Sequence, residues 1–207
     1  MAECRCVLAL PFAPVLPLRT DRLVLRAFVP EDFDELLEFH AHPEAVRYVP
    51  FDPRDADSMA ANLKRKISGG VFRSDGDLIE LAVELADGGR LIGDLLLVLH
   101  SVADATVEVG YIFNPAYAGH GYATESVRAA LGLVFDALGA HRVTAVVDAR
   151  NEASLAVCER AGMRREAEFV AAHWFKGEWA TEIHYGLLHR NFEIHIRPSP
   201  DRTMNLG

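Results

Sequence analysis

The segment Glu108-Val109-Gly110-Tyr111-Ile112-Phe113-Asn114-Pro115, followed two residues on by Ala118-Gly119-His120-Gly121-Tyr122-Ala123-Thr124-Glu125, decides the fold. Its first part is rich in β-branched and aromatic residues and reads as a strand over 106–113. Its second part is a glycine-bearing loop opening a long helix, with Ala123, Val127, Leu131, Val134 and Leu138 as the buried stripe. A strand, a glycine loop and a helix start in succession can hold a phosphate. Backbone N–H groups point outward from such a loop, and the helix dipole favours an anion there. Gly119 and Gly121 allow close backbone approach and positive φ. Taken alone, two glycines before a helix describe a plain turn equally well. The nucleotide alternatives fail on specifics. A P-loop needs Lys and Ser/Thr directly after its last glycine, where this chain has Tyr122 and Ala123. A dinucleotide fingerprint follows the first strand of a parallel unit, whereas this loop comes after four strands.

Upstream, 18–28 reads as a strand with Leu23 and Leu25 on one face. Pro30-Glu31-Asp32 suits a helix start, since Pro fits the first turn and acids suit the positive end of the dipole. The stripe of that helix is Phe33, Leu36, Leu37 and His40, and it ends before Pro43. After a loop over 46–53, a second helix runs from about Asp55 with Met59, Leu63 and Ile67 one turn apart, closed by Gly69-Gly70. Ile79, Leu81, Val83 and Leu85 alternate with polar or small residues, Asp87-Gly88-Gly89 makes a hairpin turn, and the run 91–99 is apolar enough for a central strand. Downstream come a strand over 142–148, a short helix capped by Asn151 and ended by Gly162, and two strands over 164–173 and 179–188. One strand–helix–strand crossover within an otherwise antiparallel run predicts an α/β (α+β) domain. It has a mixed, mostly antiparallel sheet of six to seven strands with helices on both faces.

A length of 207 residues suits one domain, and 50% apolar with 25% charged residues supplies a core and excludes a disordered chain. The formal charge of −9 argues against a generic nucleic-acid binder and suits cationic substrates. Three cysteines, Cys4, Cys6 and Cys158, are too few for a disulfide framework, which points to a reducing cytoplasm. No apolar run reaches the ~20 residues of a membrane-spanning helix. The apolar start carries Glu3 and is interrupted by Pro11, Pro14 and Pro17, so it reads as a flexible or extended leader over 1–17. The segment 193–207 reads as a C-terminal tail. No spacing of Cys, His or acids suggests a metal site.

The chain resembles the GNAT superfamily of acyl-CoA-dependent N-acetyltransferases and, within it, the RimJ/RimL-type branch. The resemblance covers about 18–192, which is therefore read as the acetyltransferase domain. It rests on motifs in register: Thr20-Asp21-Arg22-Leu23-Val24-Leu25-Arg26, Glu108-Val109-Gly110-Tyr111 and Gly119-His120-Gly121-Tyr122-Ala123-Thr124-Glu125. Further along are Asn151-Glu152-Ala153-Ser154, Gly162-Met163, and Gly177-Glu178-Trp179 before Tyr185. Two departures stand out. Ala118 replaces the loop's usual Arg or Gln, and Thr181, with Glu182 next, replaces an acid that commonly follows the Trp.

The resemblance implies acetyl-CoA as co-substrate and transfer of its acetyl group to a primary amine by direct attack in a ternary complex. It also implies that the strands over 106–113 and 142–148 splay apart to admit the pantetheine arm. A backbone N–H near Tyr111, Ile112 or Phe113 would polarise the thioester, amides around Gly119, His120, Gly121, Tyr122, Ala123 and Thr124 would bind the pyrophosphate, and Asn151 would meet an amide of the arm. Asn151 is equally suited to a helix N-cap.

Amine acceptors are mostly protonated at neutral pH, so a base is useful. Glu108 is the first candidate, with a strand ion pair as the alternative; Ser154 matches the position that protonates the departing thiolate, with a local hydrogen bond as the alternative. Glu182 and His184 could line the acceptor pocket, and Tyr48, Phe51, His173 and Trp174 could wall it; each is also compatible with ordinary surface or loop packing. Cys158 reads as a small buried residue. The acceptor is a peptide N-terminus or a small-molecule amine, and the protein a monomer or homodimer without nucleic-acid or membrane partners. A CoA-binding sensor that lost catalysis is the alternative of a different class.

Overall fold

The computed structural model describes residues 7–195; Cys4, Cys6 and the tail beyond 195 lie outside the described residues. In chain order the elements are β1 (Leu18–Arg19), β2 (Leu23–Arg26), α1 (Phe33–His40), α2 (Ala56–Ser68), β3 (Leu78–Leu85), β4 (Leu91–Ser101), β5 (Thr106–Phe113), α3 (Tyr122–Gly132), β6 (Arg142–Asp148), α4 (Glu152–Arg160), β7 (Arg164–Phe175), β8 (Glu178–Leu188) and α5 (His189–His195). The strands form one sheet in the order β1-β2-β3-β4-β5-β6-β8-β7. Every neighbouring pair is antiparallel except β5 and β6, which flank the α3 crossover.

The sheet has eight strands rather than six or seven. The extra strand arises where the run 18–28 breaks. Thr20 donates its N–H to the Leu23 carbonyl and accepts the Leu23 N–H on its hydroxyl oxygen, and the chain reverses so that Leu18 pairs with Leu25. α5 is a further addition, running across the boundary expected at 192.

The period of two sorts the strands into two faces. Leu81, Val83, Leu95, Leu97, Val107, Val109, Val143, Ala145, Ile183 and Tyr185 share the larger core with Val127, Leu131 and Val134 from α3 and its π-helical continuation, and with Val157 and Cys158 of α4. Leu8 and Phe12 of the leader are buried in the same core, and Phe12 bridges Phe72. The opposite face carries a smaller core, where Ala82 and Leu91 meet Leu36 and Phe39 of α1 and Met59 and Leu63 of α2. Along α2 the stripe does not continue to Ile67, which is 41% exposed; Lys66 turns inward instead. The reason lies on the sheet, where Glu80 and Asp94 supply carboxylates to its ammonium at 2.6 Å each.

Candidate active site

β5 and β6 pair only at Thr106 with Arg142, Val107 with Val143 and Glu108 with Thr144. Beyond that point both strands continue, but apart: β5 stays on β4 and β6 stays on β8. Asn114 donates its N–H to Ile92 of β4. Alternation along the strand therefore turns the N–H groups of Gly110 and Ile112 toward β4, and those of Tyr111 and Phe113 into the gap. Of the three residues expected to offer an N–H there, Tyr111 and Phe113 turn theirs into the gap, whereas that of Ile112 is turned toward β4. A Cβ on Gly110 would meet nothing within 4 Å, so the strand surface beside Glu108 is open.

A cavity of about 420 Å³ fills this gap and extends under α1 and α2. It brings together Glu108, Gly110, Tyr111, Ile112, Asn151 and Ser154. The Glu108 side chain makes no hydrogen bond or ion pair among the described residues. Asn151 caps α4, its Oδ1 accepting from the Ser154 N–H at 3.1 Å, which leaves its amide NH2 free of partners among those residues. The Tyr111 hydroxyl donates to the Ser154 carbonyl at 3.3 Å, and burial pushes that phenol's pKa up. Burial likewise raises the Cys158 thiol to about 11, which makes it a poor nucleophile at neutral pH.

The loop residues Gly119, His120, Gly121, Tyr122, Ala123 and Thr124 line a different surface. Gly119 and Gly121 both take positive φ, near 80°, and residues 118–121 are exposed. None of the backbone N–H groups of residues 119–124 has a hydrogen-bond partner among the described residues; the first one satisfied is that of Glu125, on the Gly121 carbonyl. The His120 ring folds back toward the Ala118 carbonyl at 2.9 Å and stacks on Tyr122. Arg22 braces the loop, donating to the His120 carbonyl at 2.9 Å and pairing with Glu125. The outward face of this loop is thus backbone, to which Ala118 adds no polar side chain.

The sequence does not announce the buried charge cluster at the inner end of the cavity. Lys66 joins Glu80 to Asp94, Arg65 reaches Glu80, and His40 Nε2 lies 3.1 Å from Asp94 Oδ2. Burial opposes the charge on Asp94, but Lys66 and His40 outweigh it and hold its carboxyl below the usual range. One signal was available: an acid inside the apolar run 91–99 must be paired if the strand is central.

A second, outer cavity of about 810 Å³ shares Tyr48, Phe51, Val146 and Asp148 with the first. His173, Trp174 and Glu182 complete its rim, so all four residues expected as pocket walls lie on it. Glu182 sits between His173 and His184, at 3.1 and 3.2 Å. Among the described residues, no cluster of His, Cys, Asp and Glu could hold a metal ion, and no helix is long and apolar enough to cross a membrane.

Residues 22–164 match the family model described as the acetyltransferase (GNAT) domain. The chain is 30% identical to the uncharacterized N-acetyltransferase YnaD of Bacillus subtilis (strain 168), over 83% of this chain and 96% of that one. Among solved structures it is similar to an acetyltransferase (GNAT family) from Bacillus anthracis, at 25% identity and a TM-score of 0.76, covering 84% of this chain and 99% of that one. It shares the fold of spermidine N-acetyltransferase from Vibrio cholerae, solved with CoA and spermine, at 20% identity and a TM-score of 0.72, covering 84% and 99% of the two chains.

Proposed function

This chain belongs to the GNAT family of acetyltransferases, and we propose that it transfers an acetyl group from acetyl-CoA to a primary amine by direct attack in a ternary complex. The observation that carries this reading is the run of unpartnered N–H groups at 119–124, next to a sheet that opens between β5 and β6. These features fit acetyl-CoA: the cradle suits a pyrophosphate, and the free edge of β5 suits an extended, amide-bearing arm. Acetyl-CoA supplies the activated acyl group and the thiolate leaving group; the chain supplies binding, orientation and proton handling.

In this reading the amides of Gly119 to Thr124 hold the diphosphate. The Asn151 NH2, left over from its capping bond, meets an amide carbonyl of the arm. The N–H of Tyr111 or Phe113 points at the thioester oxygen and stabilises charge that develops there. Glu108, half-buried and unpaired beside open strand, accepts the proton that the ammonium must lose, directly or through a water. The Ser154 hydroxyl, one turn into α4 and on the cavity wall, donates to the departing sulfur.

The acceptor enters from the outer cavity, between Tyr48 and Phe51 on one side and His173 and Trp174 on the other. The motif set supports a RimJ/RimL-type reading, in which a peptide α-amine and a small-molecule amine are both reasonable acceptors. The test is a screen of peptides, polyamines and amino sugars, read by CoA release, alongside thermal shift with acetyl-CoA. We expect a rise in Tm with acetyl-CoA and turnover of at least one amine class. Binding without transfer to any amine would overturn the catalytic reading.

A further inference from the structure

Four residues at the inner end of the 420 Å³ cavity each carry a buried side-chain atom with no hydrogen-bond partner among the described residues: His40 Nδ1, Asp94 Oδ1, Arg54 Nε and Asn62 Oδ1. They come from four different segments: the end of α1, the middle of the sheet, the loop before α2, and α2 itself. His40 and Asp94 are 2% and 5% exposed. Buried polar atoms are almost always satisfied, and four orphans on residues of one cavity wall mark a place where something else supplies the bonds.

Their chemistry narrows what that is. Asp94 is ionised and takes both Lys66 Nζ and His40 Nε2 on Oδ2, so the imidazole proton is on Nε2. That tautomer leaves Nδ1 as an acceptor, and Asp94 Oδ1 is a second acceptor. Arg54 Nε is a donor. Phe51 stacks on the His40 ring at 5.7 Å and 3°, and the Arg54 guanidinium lies 4.3 Å from the Phe51 centroid, so both groups are held in place. Arg65 and Lys66 balance Glu80 and Asp94, whereas Arg54 has no carboxylate partner among the described residues. A second ammonium would therefore meet net positive charge, and a carboxylate would face Asp94 Oδ1. A hydroxyl gives an O–H to the acceptors and a lone pair to Arg54.

We propose that this inner end is a subsite for a hydroxyl group of the acceptor, distinct from the amine that is acetylated, so that the preferred acceptors are amino alcohols or amino sugars. The proposal rests on the acetyltransferase reading for the amine. Asp94 faces Ile112, the next residue beyond Gly110 on the same face of β5, which puts the hydroxyl roughly 7 Å along the strand from the open surface at Gly110.

The test uses linear amines of matched length ending in hydroxyl, methyl, ammonium or carboxylate, titrated calorimetrically into the CoA-loaded protein and turned over with acetyl-CoA. The hydroxyl-ended amine is expected to exceed the methyl-ended one about tenfold in affinity and kcat/KM. His40→Ala and Asn62→Ala should each shrink that ratio toward one; if His40→Ala does not fold, Asn62→Ala and Arg54→Ala make the same comparison. Transfer with equal hydroxyl and methyl ratios, or with preference for an ammonium or carboxylate end, overturns the subsite and leaves the enzyme reading standing. Hydroxyl-selective binding without any transfer does the reverse, and loss of both overturns both.

Discussion

The guanidinium of Arg22, in the turn between β1 and β2, closes on the carboxylate of Glu125, in the first turn of α3, with Nε 2.7 Å from Oε2. Thr20 adds its hydroxyl to the same carboxylate at 2.6 Å, and Arg22 also holds the His120 carbonyl. A corner of the sheet far away in sequence thereby fixes the loop whose amides stand unpaired. Arg22 is about half exposed, so the pair itself contributes little to stability, under ~1 kcal/mol. We predict that Arg22→Ala leaves Tm within a few degrees but raises the KM for acetyl-CoA roughly fivefold, because the cradle loses its brace. An unchanged KM in steady-state kinetics would remove the loop from cofactor binding or the brace from the loop.

The same carboxylate carries a pH prediction. Burial opposes its charge, but the Thr20 and Arg22 hydrogen bonds prevail and hold Glu125 below the ordinary carboxylate value. A depressed folded-state pKa means that the stabilisation is complete above the unfolded-state pKa and is lost as pH falls through the folded one. Glu125→Gln should therefore cost stability at neutral pH, and the gap between it and the parent chain should close on acidification below about pH 4. Thermal melts of both proteins across pH 3 to 7 check this; parallel curves would refute it.

Glu108 stands unpaired on β5 beside the open surface at Gly110, which is where a proton acceptor is useful. Glu108→Gln is predicted to lower kcat/KM by roughly 10²-fold or more while acetyl-CoA affinity stays within about twofold. Full activity at every pH would assign the proton to another group.

Much of this arrangement was readable before any coordinates. The alternation from Ile79 to Leu85 and the apolar run 91–99 fix strand faces, because a period of two leaves only one side for the core. Asn151 and Gly162 bracket α4, since caps and left-handed ends are local chemistry. Tyr48 and Phe51 are expected in a connecting segment and His173 and Trp174 at the turn between the last two strands; all four line one cavity, but His173 and Trp174 do so from within β7. The reversal at Thr20 and the turning-in of Lys66 were not readable. Each depends on a partner that local spacing does not reveal: Leu25 pairs back onto Leu18, and Glu80 and Asp94 meet Lys66 from the sheet. Helical spacing favours Ile67 as the next buried residue and carries no information about carboxylates waiting on β3 and β4.

Asn151 serves two purposes that a pair of variants can separate. Its Oδ1 caps α4, and its NH2 is the group left for an amide of the cofactor arm. Asn151→Ala removes both and should cost about 1 kcal/mol of stability together with cofactor affinity. Asn151→Asp keeps a capping oxygen and puts a negative charge at the positive end of the helix, so stability should be retained. Its acetyl-CoA affinity should nevertheless fall several-fold, because the donor is gone. If Asn151→Asp binds acetyl-CoA as the parent does, the residue is a cap and nothing more.

Lys66 shows what the buried cluster demands. Its ammonium, with the side chain only 3% exposed, lies 2.6 Å from both Glu80 and Asp94 and 5.0 Å from the centre of the Phe28 ring. Removing one member of a buried ion network strands the others, which typically costs about 3–5 kcal/mol. Lys66→Met fills the stem's volume but leaves Glu80 with only the half-exposed Arg65, and Asp94 with only His40. We therefore predict a loss in that range by urea denaturation at neutral pH. The deficit should shrink at low pH, where Asp94 no longer has to carry a charge. The double variant Lys66→Met/Asp94→Asn should recover part of the loss at neutral pH, because the stranded charge is gone. If instead the two changes add, the cost of Lys66→Met comes from packing against Phe28, and Asp94 is solvated well enough to stand alone.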